Sequence, residues 1–243
     1  MSELKIKNKD VVVPGEILAT GMEFLPSYGT YREGDKIQAN RLGLVQLEGK
    51  VLKIIPLSGT YIPKRGDTVI AQVEEILMSG WRADLNCAYS AVLGLKDATS
   101  EFIQKGADLT HYFQIGDYIV TKIVNVTTQN LIDISMKGPG LKRIRGGRII
   151  KVDPYKVPRI IGKQGSMVSM IKTSTDCRVM VGQNGVAWIQ GEPKSEIIAE
   201  EAIRKIESES HIAGLTDRMK KYLEDKTGKK IEDREPRSDT NAV

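Results

Sequence analysis

At 243 residues, with 40% hydrophobic and 5% aromatic content, the chain has room for one to three domains of ordinary size but not for one large aromatic core. No apolar run approaches the ~20 residues needed to span a membrane, and residues 1–13 mix Lys, Asp and Asn with short apolar stretches, unlike a secretory leader; a cytoplasmic location is expected. Net charge is only +5, yet residues 137–172 hold ten Lys and Arg against one acid, Asp153, so the rest of the chain is slightly negative. Cys87 and Cys177 are far apart and neither has a second cysteine nearby, so they are expected to be free buried thiols rather than a disulfide or a metal site.

Residues 1–62 read as a small β-domain. Val11-Val12-Val13 runs into a Pro14-Gly15 turn, and the β-rich runs 36–39, 43–47 and 51–55 are broken by Gly49 and Pro56. Tyr28-Gly29-Thr30-Tyr31 reads as an exposed aromatic loop. Nothing in this segment suggests chemistry, and docking on a partner is the role left to it.

Residues 63–140 read as a second β unit. Gly66-Asp67 opens a strand to Ile76, Trp81, Ala83 and Leu85 alternate with Arg82 and Asp84, and 91–95 is a third strand. Gly116-Asp117 opens a fourth, to Val126, and Ile132 and Ile134 alternate with Asp133 and Ser135 in a fifth. Five strands with a longer connection after the third fit an OB-fold barrel. The paired Gly-Asp openings resemble the RNA-binding repeat of ribosomal protein S-one. That family places an aromatic on the second strand for base stacking, where this chain has Arg82. The barrel is therefore expected to meet RNA through charge, with Arg82, Lys96 and Lys122 as candidates; for each, an ordinary surface cation is the competing reading.

Gly138-Pro139-Gly140 interrupts any strand or helix, and residues 141–210 follow a different pattern. A strand at 148–152 leads through Asp153-Pro154-Tyr155 into a short helix and then Gly162-Lys163-Gln164-Gly165. Val168 and Ile171 mark the inner face of the next helix, 177–181 and 186–190 are strands, and Asn184-Gly185 signals a two-residue hairpin turn. Trp188 reads as core or hairpin packing. Pro193 suits a first helical position, and Ile198, Ala202, Ile203 and Ile206 make one apolar stripe. A bare G-x-x-G is most often an ordinary helix–helix turn. Here the order strand, helix, G-x-x-G, helix, strand, strand, helix is that of a type I KH domain, whose loop clamps about four nucleotides of single strand. Glycines that permit close approach, a helix N-terminus and Lys163 suit a phosphate backbone. Gly162, Lys163, Gln164, Gly165 and Arg159 are the expected RNA contacts.

Residues 211–224 read as a short helix carrying Leu215, Met219, Tyr222 and Leu223, and 225–243 as a disordered tail. His111 and His211 stand apart without a carboxylate or cysteine cluster, and no H-E-x-x-H, G-x-S-x-G or phosphate-binding G-x-x-x-x-G-K occurs, so no catalytic residue, metal or cofactor is expected. The whole is a multidomain, mainly β chain with an α+β part. The order β-domain, S-one-type barrel, KH domain resembles the RNA-binding cap subunits of the archaeal exosome, on the strength of Val12-Val13-Pro14-Gly15-Glu16, Gly66-Asp67 and Ile161-Gly162-Lys163-Gln164-Gly165. That resemblance implies three copies on a hexameric ring of RNase PH-like subunits, with the barrels around the entrance pore, recruiting single-stranded RNA for degradation from its 3′ end. A free-standing RNA-binding or translation-regulating protein is the alternative. A fragment of polynucleotide phosphorylase is disfavoured, because there the KH domain precedes the S-one domain.

Overall fold

A computed structural model of the chain describes residues 3–229 apart from Ser100, Phe102, Lys105, His211 and Ala213. The expected tail from residue 230 on, and His211, lie outside the described residues. Two compact units emerge, one ending at Gly59 and one beginning at Thr60.

The first unit is two four-stranded sheets. β1 (Glu3–Leu4), β3 (Ile17–Thr20), β6 (Lys36–Ala39) and β5 (Thr30–Glu33) form one, in the order β1-β3-β6-β5. β2 (Val11–Val12), β7 (Gly43–Glu48), β8 (Val51–Pro56) and β4 (Leu25–Pro26) form the other, in the order β2-β7-β8-β4. Val12, Leu18, Ile37, Val45, Leu52 and Ile54 fill the space between them. The expected aromatic loop is half strand: Thr30 and Tyr31 belong to β5, because Thr30 Oγ1 turns inward to Leu52 O and Tyr31 Oη donates to Gln38 across the pair.

The second unit begins with the barrel. β9 (Thr68–Leu77), β10 (Gly80–Asp84), β11 (Ser90–Gly94), β12 (Tyr118–Val126), β13 (Ile132–Ser135) and β14 (Arg143–Ile144) run in the order β13-β11-β10-β9-β12-β14. An additional β12–β13 pairing, over Lys122–Val126, closes the sheet on itself and leaves the first part of β12 to β14. The short helix α1 (Leu95–Ala98) and a 3-10 turn at Leu109–His111 lie in the connection after β11. Trp81 is fully buried, its indole N–H donating to Phe113 O at 3.2 Å and its ring edge-on to Phe113 at 5.1 Å. Tyr61, in the segment assigned to the first domain, packs in this core and donates its hydroxyl to Asp67 at 2.6 Å. β14, beyond the Gly-Pro-Gly interruption, pairs with β12; Arg143 is fixed there by Asp117 at 2.6 Å. Two residues with no alternation gave no strand signal in the sequence.

The KH part follows: β15 (Arg148–Lys151), α2 (Val157–Ile161), α3 (Ser166–Thr175), β16 (Arg178–Val181), β17 (Val186–Gln190), α4 (Pro193–Glu209) and α5 (Leu215–Thr227). Its sheet is antiparallel throughout, ordered β15-β17-β16. Ile150, Val179, Ala187 and Ile189 point to the helices, and Ile149, Met180, Val186 and Trp188 point the other way. The hairpin between β16 and β17 departs from expectation. Gly182 N–H donates to Val186 O and Gly185 N–H to Gly182 O, and only Gly185 has positive φ, so the loop is 183–185 rather than a two-residue turn on Asn184-Gly185.

α5 corresponds to the expected short helix and runs three residues past its expected end at Glu224, into the stretch read as tail. Leu215, Met219 and Leu223, four residues apart, bury against the KH core, and Lys226 reaches Glu201 of α4 at 3.0 Å. Hydrogen bonds from Lys226 and Tyr222 hold Glu201 below the usual carboxylate range, and Lys205 with Arg218 does the same for Glu209. A lowered folded pKa means stabilisation that is present above the unfolded value and lost as pH falls through the folded one. Amide exchange in α5 is therefore expected to rise selectively below the ordinary carboxylate range. Exchange tracking that of α3 at every pH would show that these pairs do not hold α5. Among the described residues no helix is long and apolar enough to cross a membrane.

Candidate nucleic-acid interface

The turn at 162–165 is shaped by backbone requirements. Gly162 ends α2 at φ 75° and ψ 174°, and a Cβ there would meet Met167 N and Met167 Cβ at 2.7 Å. Gln164 and Gly165 follow in left-handed conformations, φ 52° and 78°. Lys163 and Gln164 are consequently exposed at the tip, and α3 starts at Ser166 with no side chain capping its first N–H groups. Unsatisfied amides, the positive end of the helix and the Lys163 ammonium converge on one exposed spot. Arg159, in the last turn of α2, is exposed as well. Neither Arg159 nor Lys163 has a carboxylate partner among the described residues. Both glycines need positive φ but only Gly162 lacks room, so Gly165→Ala is expected to cost about 1 kcal/mol and Gly162→Ala clearly more. Equal urea midpoints for the two variants would contradict this.

The barrel candidates separate into two places. Arg82 is exposed on β10, but Glu75 of β9 pairs with it. Its other cross-strand neighbour is Val92, beside which Asp133 accepts from Asn125 at 3.1 Å. That face offers an ion pair, a valine and a carboxylate; the aromatic of this strand, Trp81, belongs to the core. Lys122 is exposed on β12 opposite Thr68 and Ser135. Lys96 is exposed in α1, whose next residue, Asp97, accepts from Met136 N–H at 2.8 Å and Ser135 Oγ at 3.5 Å. Lys96 and Lys122 thus border the same end of the barrel. Thr68 and Glu75 lie at opposite ends of β9, roughly 23 Å apart along the strand, so Arg82 is not part of that group.

Nothing in the local sequence pattern signals how barrel and KH part are joined. The outward face of the KH sheet lies on the barrel, with Val186 and Trp188 packed against Ile70, Val120 and Ile144. The 182–185 hairpin is driven into the start of β9. Asn184 is fully buried; its amide donates to Ile70 O at 2.8 Å and Leu85 O at 2.9 Å and accepts from Ile70 N–H at 3.3 Å. Gln183 N–H donates to Thr68 O at 2.9 Å. Gly182 leaves no space for a side chain, since a Cβ would lie 2.8 Å from Ile70 N. An Asn-Gly pair looks the same in sequence whether it faces solvent or a neighbouring module, so this seam has no local signature.

Other reactive groups are quiet. Burial pushes the Cys87 and Cys177 thiols up, away from thiolate reactivity at neutral pH. His111 is exposed beside Asp108. Among the described residues no group of His, Cys, Asp and Glu is placed to hold a metal ion.

The chain is similar to known proteins along most of its length. A family model described as the exosome RNA binding protein RRP4 N-terminal domain matches residues 9–58, and a KH domain model matches residues 147–208. The protein named exosome complex component Rrp4 of Methanothermobacter thermautotrophicus is 42% identical over 225 residues, 93% of this chain and 71% of that protein. Its namesake in Thermococcus kodakarensis is 43% identical over 227 residues, 92% of this chain and 88% of that protein. A crystal structure described as an exosome complex RNA-binding protein superposes with a TM-score of 0.63 at 32% identity, covering 69% of this chain and 97% of that one.

Proposed function

The chain belongs to the Rrp4 family of exosome complex components, and from that premise we propose that it is an RNA-binding subunit of an exosome, without catalytic activity of its own, that caps an RNase PH-like ring in the cytoplasm and feeds it single-stranded RNA. The observation that carries the reading is the 162–165 turn, where exposed Lys163 and the uncapped start of α3 meet at a G-x-x-G. In this reading residues 1–62 dock on the ring, 63–140 face the RNA at the pore, and 141–210 hold it outside, with three caps on each hexamer. Support for docking comes from apolar residues left exposed on the first unit, Met22 at 73%, Val11 at 58% and Leu25 at 56%.

Two measurements test it. The mass of the native assembly co-purified with the chain should correspond to a ring with three caps, and removing residues 1–59 should release the cap while RNA binding persists. Unchanged assembly after that deletion, or a chain purified alone, would favour the free-standing alternative. Phosphate contacts should also make log affinity for single-stranded RNA fall linearly with log salt, by about 0.7 per phosphate. A flat dependence, or a preference for duplex, would contradict a clamp on the backbone. RNA labelled at its 3′ end should stay intact with the chain, phosphate and Mg²⁺ alone.

A further inference from the structure

We infer that a single RNA strand crosses the seam between the KH part and the barrel, on a basic track running from Lys163 and Arg159 past Lys156 to Arg65 and Lys122. The inference rests on the RNA-binding reading above and adds a surface to it: Lys156, Arg65 and the ground between the two modules.

Five contacts bring the ends of this track together. Tyr155, next to Lys156, donates its hydroxyl to Thr60 O at 3.4 Å, which sets the start of the α2 segment against the chain entering the barrel. Gly185 abuts Pro154, so that a Cβ would lie 3.1 Å from the ring, and its hairpin holds Thr68 through Gln183. Thr68 lies opposite Lys122, and Gly66, which follows Arg65, donates to Ile123 O at 2.8 Å. From Pro154 to the G-x-x-G turn there are only the 3-10 turn Pro154–Lys156 and α2, at most about 13 Å of helix axis.

The more exposed charges named on this path are cations. Arg65, Lys122, Arg159 and Lys163 are exposed and Lys156 is half-buried; none has a carboxylate partner among the described residues. The acids nearest in sequence are half-buried and hydrogen-bonded: Asp67 accepts from Tyr61 Oη at 2.6 Å, and Asp153 accepts from Tyr155 N–H at 2.9 Å. The seam itself is fixed by the hydrogen bonds of Asn184, so the spacing between the two binding places does not vary with a linker. Two sites held at fixed spacing engage one ligand with a high effective concentration, provided the ligand is long enough to reach both.

The test uses the full chain, fluorescent oligouridylates of four and about twelve nucleotides, and the variant Arg65→Glu/Lys156→Glu. A KH loop holds about four nucleotides, so the short probe reports the loop alone. The long probe is expected to bind the variant at least about tenfold more weakly, with a salt slope smaller by about 1.4, which is two phosphates at about 0.7 each. The short probe should bind variant and wild type alike. Arg65→Gln/Lys156→Gln, without added acids, should show the same pattern more weakly and guards against misfolding. Wild-type affinity of the variants for the long probe would overturn the crossing track, and so would equal losses for both probes, which would put these residues inside the loop's own site. If the wild-type chain binds neither probe, the RNA-binding reading itself fails.

Discussion

Replacing Lys163 and Gln164 together by Asp is expected to weaken binding of a four-nucleotide RNA by about 2 kcal/mol, some thirtyfold, while stability moves by no more than about 0.5 kcal/mol. The loss follows from the turn's geometry. Both side chains are exposed at the tip, and the variant sets two carboxylates where the N–H groups of α3 and one ammonium now point. The fold should tolerate the change, because neither side chain is in the core and Asp accepts the left-handed conformation that Gln164 holds at φ 52°. The informative comparison is with Lys96→Ala/Lys122→Ala at the barrel end. Wild-type binding by the loop variant, alongside failure of the barrel variant, would move the RNA site to residues 63–140 and leave the G-x-x-G a structural turn.

Asn184→Ala should be the most destabilising polar substitution in the KH part, at about 3–4 kcal/mol. It strips partners from Ile70 N–H, Ile70 O and Leu85 O at a position with no solvent exposure. Each buried group left unpaired costs about 1–3 kcal/mol, partly recovered where water enters. For a chain of this size that lowers the melting temperature by on the order of 10 °C. Asn184→Asp keeps the shape but buries a charge, one of whose oxygens would face two carbonyls, and should be at least as damaging. A shift below about 2 °C for Asn184→Ala would mean that the seam is held by Trp188 and its apolar neighbours alone.

Much of the fold was legible because the pattern that specifies it is local. Alternation in 80–85 and 131–136 put Trp81, Ala83, Ile132 and Ile134 inside, and Pro193 began α4. What escaped was non-local. β14 is two residues long and exists because β12 has an edge to offer it. α5 was legible as a helix from Leu215, Met219, Tyr222 and Leu223, but its last turn was not, because Asp225, Lys226 and Thr227 carry no apolar signal and Lys226 is held by Glu201 of another helix. Among the candidate site residues, Arg159 and 162–165 lie together because they are neighbours in the chain. It did not separate Arg82 from Lys122, nor reveal that Glu75 pairs with Arg82, because strand order and register decide both.

The seam also sets a timetable. Ile70 and Asn184 are 114 residues apart, so β9 emerges from the ribosome well before the hairpin that will hold it. At about 5–20 residues per second the interval is roughly 6–23 s. In its later part, once residue 135 has been made, the barrel can close, yet Ile70 and Val120 on its outer face wait uncovered until the hairpin follows. A chain stopped at Gly140 would keep them uncovered permanently. Nascent chains of that length are the natural targets for chaperones that recognise apolar patches, and fragments of the barrel alone should be the ones that aggregate.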